Sequence, residues 1–326
     1  MQRGRKFLKL IIMTVTMTVV LFMLPDCPRT TRLPEAGGKT MGTTWRLVLA
    51  KGDISNASSM VQARLDELEG IFTNWREDSA VSRFNASRST EWQSIPRELA
   101  DAVVLAQRIS KETQGAFDIT VSPLIDLWGF GAKGRTKTIP SDEAIAAARA
   151  RCGWEKIEVQ TEPSQLRKIQ SDVEINVAGL VEGYAVDDIV TRLHAAGHTN
   201  FLLDVGGELY ASGAKPDGSP WEVGVQQPDA AKGVVTGALP LQDKALSTSG
   251  TYQQFFEVDG KRYPHILDAR TGKPVSHGVV SVSVIADSCF EADSWTTALL
   301  ILGPTEGRET AKRLGIDALF LAESSP

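Results

Sequence analysis

Histidine and cysteine are scarce in this chain: four and three residues out of 326. That scarcity narrows the chemistry. No HExxH, GxSxG or CxxC pattern is present, so a zinc protease, an α/β-hydrolase and a dithiol redox centre have no template to rest on. Basic charge is in deficit, with 35 Lys and Arg against 40 Asp and Glu and a formal net charge of −5. An acidic body argues against nucleic acid as a partner. It leaves an anionic ligand dependent on local help from a metal or a helix end. Repeats, low-complexity tracts and a clear linker after Lys39 are missing too, which points to one folded body. Hydrophobic residues at 42% and charged residues at 23% are ordinary for a globular domain, and a body of this length buries a sizeable core without disulfides.

The first thirty residues differ. Arg3, Arg5, Lys6 and Lys9 precede an almost wholly apolar, uncharged run from Leu10 to Leu24. The run has the length of a signal-peptide core and is short for a membrane-spanning helix, which takes roughly 20 residues. Positive charge ahead of it holds that end in the cytoplasm, which implies export of the rest of the chain. Cys27 comes directly after, in Leu24-Pro25-Asp26-Cys27. Two readings stay open: a lipoprotein lipidated on Cys27, for which Asp26 is an unusual preceding residue, and an uncleaved signal anchor. Both tether the domain in a bacterial envelope, on the inner membrane and facing the periplasm. The expected division is a signal or anchor over 1–27, a linker over 28–39 and a folded domain over 40–326. Cys152 and Cys289 are far apart in sequence; a bridge between them and two buried free thiols both remain open.

Apolar periodicity predicts helices over Ser58–Phe72, Arg97–Thr113, Ser141–Arg151, Leu180–Ala196, Glu291–Leu302 and Glu306–Leu314, with Ser141 as an N-cap. Strands are expected at Thr44–Ala50, Ile157–Val159, Lys168–Val177, Phe201–Ser212, Trp221–Gln226, Gly233–Leu241, Ala245–Thr248, Tyr252–Val258, Val279–Ala286 and Ala318–Ala322. The consecutive strands after Phe201 imply antiparallel pairing, so the class is α+β.

Five segments stand out chemically. In Glu291-Ala-Asp-Ser-Trp-Thr-Thr297, Asp293 and Thr297 are four apart and share a helix face. Carboxylate and hydroxyl oxygens suit Mg²⁺ or Ca²⁺, and the first turns of a helix favour an anion such as a diphosphate; the same spacing also fits Asp293 as a plain N-terminal cap. Ile175 to Tyr184 reads as a strand turning into a helix at Ala178-Gly179, where a glycine carbonyl is free to bind a ligand, or where the chain merely turns. Asp204-Val-Gly-Gly-Glu208 puts paired glycines inside a strand, the mark of a bulge or a close backbone approach; it is not GxGxxG and opens no helix. Ala245-Leu-Ser-Thr-Ser-Gly250 is small and hydroxyl-rich, fit to bound a phosphate or ring pocket. His265, ahead of an Asp268-Thr271-Gly272 turn, is a candidate base or a structural histidine.

Taken in order, MGTTW (41–45), GAFDIT (115–120), VAGLVEGYAVD (177–187), DVGGELYASG (204–213), STSGTY (247–252), HILDARTGKPV (265–275) and EADSWTTALLILG (291–303) resemble the ApbE family, the FAD:protein FMN transferases of bacteria. The resemblance spans nearly all of the chain past Gly38. It implies a T-fold-like α+β domain with FAD, a substrate, in a cleft. By position it places Met41, Trp75, Ala116, Phe117, Asp118, Asn176, Glu182 and Ile266 at FAD, and Gly179 (through its carbonyl), Asp293 and Thr297 at Mg²⁺. His265 matches the histidine proposed as base. It further implies acceptor flavoprotein subunits of membrane redox complexes as partners. Asn176 stands where the family often has Asp, and Thr296 where some members place a further acidic metal ligand; both lower the negative charge. A pyrophosphatase giving FMN and AMP, and a flavin carrier without turnover, are the competing functions.

Overall fold

The computed structural model describes residues 32–132, 138–226 and 235–322. The chain divides after Arg32, and its large compact unit starts at Leu33. The basic cluster, the apolar run and Cys27 lie outside the described residues, as does Thr30. Among the described residues no helix is long and apolar enough to cross a membrane.

The body begins earlier than the expected linker allows. Strand β1 (Glu35–Thr40) pairs antiparallel with β2 (Thr43–Leu49) through a turn at Met41-Gly42. Gly37 and Gly38, which suggest a flexible linker, serve close packing instead: a Cβ on Gly38 would sit 2.4 Å from Gln62 Oε1 and 2.6 Å from Trp45 Nε1. Helices α1 (Ile54–Phe72), α2 (Ala80–Ala86) and α3 (Arg97–Glu112) follow, with the two-residue strand β3 (Gln93–Ser94) between the last two. Then come α4 (Ser122–Leu127) and α5 (Asp142–Arg149), the latter capped by Ser141 as expected. The pair β4 (Ile157–Thr161) and β5 (Ser164–Lys168) joins β3 in a small sheet. The expected strand over Lys168–Val177 does not form; β5 ends at Lys168.

Helix α6 (Val181–Ala195) leads into β6 (Phe201–Val205) and β7 (Glu208–Ser212). Gly206-Gly207 is the hairpin turn between them, not a bulge, with φ of 71° and 106°; that positive φ is what glycine supplies. The hairpin β8 (Trp221–Gln226) and β9 (Val235–Leu241) precedes β10 (Lys244–Gly250). The pair β11 (Phe255–Val258) and β12 (Lys261–Pro264) precedes the short pair β13 (Leu267–Asp268) and β14 (Lys273–Pro274). Strand β15 (Val279–Ala286), helix α7 (Cys289–Leu314) and β16 (Asp317–Ala322) close the chain. The large sheet runs β1-β2-β6-β7-β10-β15-β16, antiparallel throughout.

Period-two alternation divides the sheet's faces. Trp45, Leu47, Leu49, Phe201, Leu203 and Val205 join the core beneath the helices. Val48, Leu246 and Ala211 face the other way, onto Trp221 and Val223 of the β8–β9 hairpin. Arg64 fastens three helices together, reaching Glu67 of α1 at 2.8 Å, Glu98 of α3 at 2.7 Å and Asp188 of α6 at 2.9 Å. Cys152 and Cys289 are both buried free thiols.

The two helices expected over 291–302 and 306–314 are present, meeting within α7 at a break where Gly303 (φ 76°) leaves the helical region just before Pro304. Pro304 has no N–H for the Leu300 carbonyl four residues earlier. His277 fills that vacancy: its Nε2 stands 2.8 Å from Leu300 O, while Nδ1 accepts from Val279 N at 3.3 Å. His277→Ala leaves a buried carbonyl unpaired, which costs about 1–3 kcal/mol. Thermal unfolding should show the midpoint falling by several degrees; an unchanged midpoint would mean that water serves the kink equally well.

Candidate active site

The site is assembled from segments distant in sequence, joined by bonds to the main chain. Ala269 N donates to Ala116 O at 3.1 Å, tying the turn after His265 to the segment after α3. Asn176 N donates to Ile119 O at 2.6 Å, tying that segment to the approach of α6. Gly183 N, in the first turn of α6, donates to Asp293 Oδ2 at 2.9 Å. A Cβ on Gly183 would lie 2.5 Å from Cys289 O and 2.6 Å from Asp293 Cβ, so only glycine lets α6 and α7 approach this closely.

Asp293 is not the cap of α7. Ser288 is the N-cap, and Asp187 takes the Cys289 N–H at 2.8 Å and the Phe290 N–H at 3.1 Å. The expectation that the α7 N-terminus receives an anion is therefore corrected: these N–H groups are already occupied by protein oxygens. Asp293 and Thr297 lie further along on one face, Asp293 buried and Thr297 half-buried. Gly179 stands against Thr297, whose Oγ1 would be 3.5 Å from a Cβ placed there. The three candidate cation ligands thus come from the Gly179 corner and one face of α7.

The carboxylate environment is unusual. Burial holds Asp293 above the usual carboxylate range, against the lowering effect of the Gly183 N–H. Burial, and then the charge of Asp293, raise Glu182. Glu208, at the start of β7, is raised well above its ordinary value by burial, then by Asp293, with Glu182 and Asp204 adding to it. Its Oε2 is buried without a hydrogen-bond partner. No lysine or arginine forms an ion pair with any of the three among the described residues. Glu208 escaped the sequence reading; its only signal was a carboxylate directly after the Gly206-Gly207 turn.

The remaining candidates fall as follows. Met41 occupies the β1–β2 turn with φ 44°, its N–H 3.4 Å from Glu69 Oε2. Trp75 is 68% exposed. Ala116 and Phe117 are buried in the core. Asp118 is buried and folds back on Thr120, accepting its N–H and its hydroxyl at 2.7 Å each; burial still lifts it to about 6. Asn176 accepts the Ala178 N–H at 2.9 Å and helps to line a cavity of about 300 Å³ with Asn74, Asn85 and Arg88. Ile266 is buried, with its carbonyl bonded to Val275 N. His265 is half-buried, edge-on to Phe130; its Nδ1 and its main-chain N both lie 3.0 Å from Gln254 O. Burial lowers its pKa, with the Gln254 bond opposing.

Two asparagines at the site were also unforeseen. Asn85 donates to Ile175 O at 2.8 Å and accepts from Ile175 N at 2.7 Å, and Asn74 donates to the same carbonyl at 3.0 Å. They supply, at Ile175, the pairing that a strand neighbour would have given to a segment that joins no sheet.

The ApbE family model matches residues 41–320. The chain belongs to the ApbE family. It is 38% identical over 291 residues to the FAD:protein FMN transferase of Klebsiella pneumoniae (strain 342), covering 88% of this chain and 83% of that one. The protein of the same name from Escherichia coli (strain K12) is 36% identical over 304 residues, covering 92% and 87%. Among solved structures, the apo form of Pseudomonas stutzeri flavinyl transferase ApbE superposes with a TM-score of 0.82 at 36% identity, over 90% of this chain and 92% of that one. The flavin transferase ApbE from Vibrio cholerae gives 0.81 at 31% identity, over 90% and 95%. The α+β class expected of this family is the one observed.

The raised carboxylates fix a pH dependence. A carboxyl whose native pKa lies above its unfolded value binds more protons in the native state, so stability falls as pH rises past the ordinary carboxylate range near 4. In chelator, the unfolding midpoint should drop between pH 5 and pH 8, and Glu208→Gln should flatten that slope. A slope unaffected by Glu208→Gln would mean that this carboxyl carries no strain from its neighbours.

Proposed function

We propose that this chain is an FAD:protein FMN transferase. It splits the diphosphate of FAD, moves FMN onto a threonine or serine hydroxyl of an acceptor flavoprotein and releases AMP, with Mg²⁺ as the cation at the diphosphate. The observation that carries the proposal is the alignment of Asp293 and Thr297 on one face of α7, with Gly179 set against Thr297. The names of the relatives support the choice of substrate.

The residues present fit a hard cation. Carboxylate, hydroxyl and carbonyl oxygens are the donors Mg²⁺ prefers. The buried carboxylates lack a cationic side chain, and Glu208 Oε2 lacks any partner. Among the described residues no group of three His, Cys, Asp or Glu side chains is arranged to hold a metal, so the ion would rest on one carboxylate, neutral oxygens and the substrate's phosphates. When bound, Mg²⁺ supplies charge neutralisation at the diphosphate and draws electrons from the phosphorus on the FMN side.

The chain's own residues do the rest. Asp293 keeps Oδ2 on the Gly183 N–H, which leaves Oδ1 for the cation. The Gln254 carbonyl can only accept, so His265 carries its proton on Nδ1 and presents a lone pair at Nε2. Burial favours that neutral form. The hydroxyl oxygen of the acceptor bonds to the FMN-side phosphorus, the bond from that phosphorus to the bridging oxygen breaks, AMP takes the bridging oxygen, and the hydroxyl proton passes to His265 Nε2. Transfer of this type depends on positioning and electrostatics more than on a protein nucleophile. The exposed indole of Trp75 offers a flat face to one of the substrate's rings.

Acceptors in membrane redox complexes, and a place on the inner membrane facing the periplasm, belong to the same proposal. The acceptors rest on the resemblance to the family, and the location on the basic cluster and apolar run ahead of Cys27.

The test combines the purified body, FAD, Mg²⁺ and a candidate acceptor, and follows acceptor mass together with AMP. Covalent FMN on the acceptor is the expected result; AMP with an unmodified acceptor would replace transfer by hydrolysis, and FAD bound without AMP would make the protein a carrier. Asp293→Asn can still accept the Gly183 N–H, so it should fold normally yet release no AMP. An active Asp293→Asn protein removes Asp293 from the chemistry. His265→Ala should lower the transfer rate by about 10²- to 10⁴-fold, the usual worth of a positioned base, while FAD still binds; an unchanged rate refutes the assignment.

A further inference from the structure

The hydroxyl-rich segment of β10 has no part in the mechanism above, yet it meets α7 beside the cation position. Along β10, Ala245, Ser247 and Ser249 alternate toward the helix side, with Ala245 in the core beneath the helices. Ser249 Oγ lies 3.0 Å from Thr296 Oγ1 and 3.0 Å from Thr297 Oγ1. Thr296 Oγ1 lies 2.7 Å from the Asp293 carbonyl oxygen. Ser247 Oγ is 3.4 Å from Thr296, at the edge of hydrogen-bond reach.

A hydroxyl has one proton to give and two lone pairs to receive with. A carbonyl oxygen can only receive. Thr296 therefore gives its proton to Asp293 O, and toward Ser249 it can act only as an acceptor. Ser249 then gives its proton to Thr296 and is an acceptor toward Thr297. Thr297 in turn gives its proton to Ser249. The direction of every link is set by the carbonyl at its end.

We infer that Ser249 and Thr296 form a one-way hydroxyl relay, ending on the Asp293 carbonyl, that turns the Thr297 proton away from Gly179 and presents only Thr297 lone pairs to the cation. Ser249 is thus a positioning residue. The inference rests on the proposed cation site. It also gives Thr296 a task of its own: it sets polarity without supplying charge. Thr296 is fully buried, so water does not take over its role.

The experiment titrates Mg²⁺ into the metal-free full chain by calorimetry, with and without FAD, the heat of Mg²⁺ mixing with FAD alone being subtracted. The proteins compared are wild type, Ser249→Ala, Thr296→Val, Thr296→Ser, Thr297→Val and Asp293→Asn, with unfolding midpoints measured in chelator. Ser249→Ala and Thr296→Val should each weaken Mg²⁺ binding about 10- to 100-fold, the usual effect of losing a group that orients a metal ligand. Thr296→Ser restores the donor and should restore affinity, which a mere packing role for the side chain would not predict. Should Ser249→Ala alter the midpoint, the Thr296→Val and Thr296→Ser pair decides. Wild-type affinity in Thr296→Val, or equal losses in Thr296→Val and Thr296→Ser, overturns the relay. If Thr297→Val and Asp293→Asn lose Mg²⁺ while the relay variants keep it, the relay alone is wrong. A wild-type protein that takes up no Mg²⁺ even with FAD present overturns the cation site, and the relay with it.

Discussion

The carboxylate of Asp293 is bound by the Gly183 N–H across the contact between α6 and α7, and much of the site depends on that bond. It fixes one carboxylate oxygen and frees the other. It requires glycine at position 183, because the two helices meet at a distance that admits no side chain. It also brings Asp293 among Glu182 and Glu208, where burial raises all three carboxyls. Negative charge gathered in a dry place without lysine or arginine is costly in isolation. In the proposed function a cation shared with an anionic substrate would relieve it, which would make the cluster a binding element.

The surrounding fold serves to hold these segments in register. The seven-stranded sheet carries α6 and α7 on one face, and β10 passes under α7 so that its serines reach Thr296 and Thr297. The N-terminus of α7 is satisfied by Ser288 and Asp187, so that helix needs no ligand to be complete. The His265 loop is pinned by Gln254 on one side and, through Ala269, by Ala116 on the other. The His265 loop and the α6–α7 contact are thus each held by bonds to the main chain.

Helices with a clean apolar stripe, such as α3 and α6, were legible in the sequence because 3.6-residue periodicity survives any tertiary context. Asp293 and Thr297 were legible together for a similar reason, since a spacing of four on a helix is a statement about one face; Gly179 was joined to them only by the resemblance to the family. What escaped were features decided between distant segments. Gly37 and Gly38 look like linker residues until Trp45 and Gln62 close over them. The segment before Asn176 reads as a strand, yet its partners are two asparagine side chains. The break at Gly303-Pro304 was legible, but the histidine that bridges it lies on a separate loop. Glu208 lay inside a quoted motif but was passed over, since its significance comes from the carboxylates around it.

The central claim is that one divalent ion sits between Asp293, Thr297 and the Gly179 carbonyl and grips the FAD diphosphate. Anomalous diffraction from crystals soaked with FAD and Mn²⁺, a Mg²⁺ surrogate, tests it most directly. The account predicts a metal peak about 2.1 Å from these three oxygens, with the diphosphate completing its coordination. A peak elsewhere, or a diphosphate bound away from α7, would contradict it.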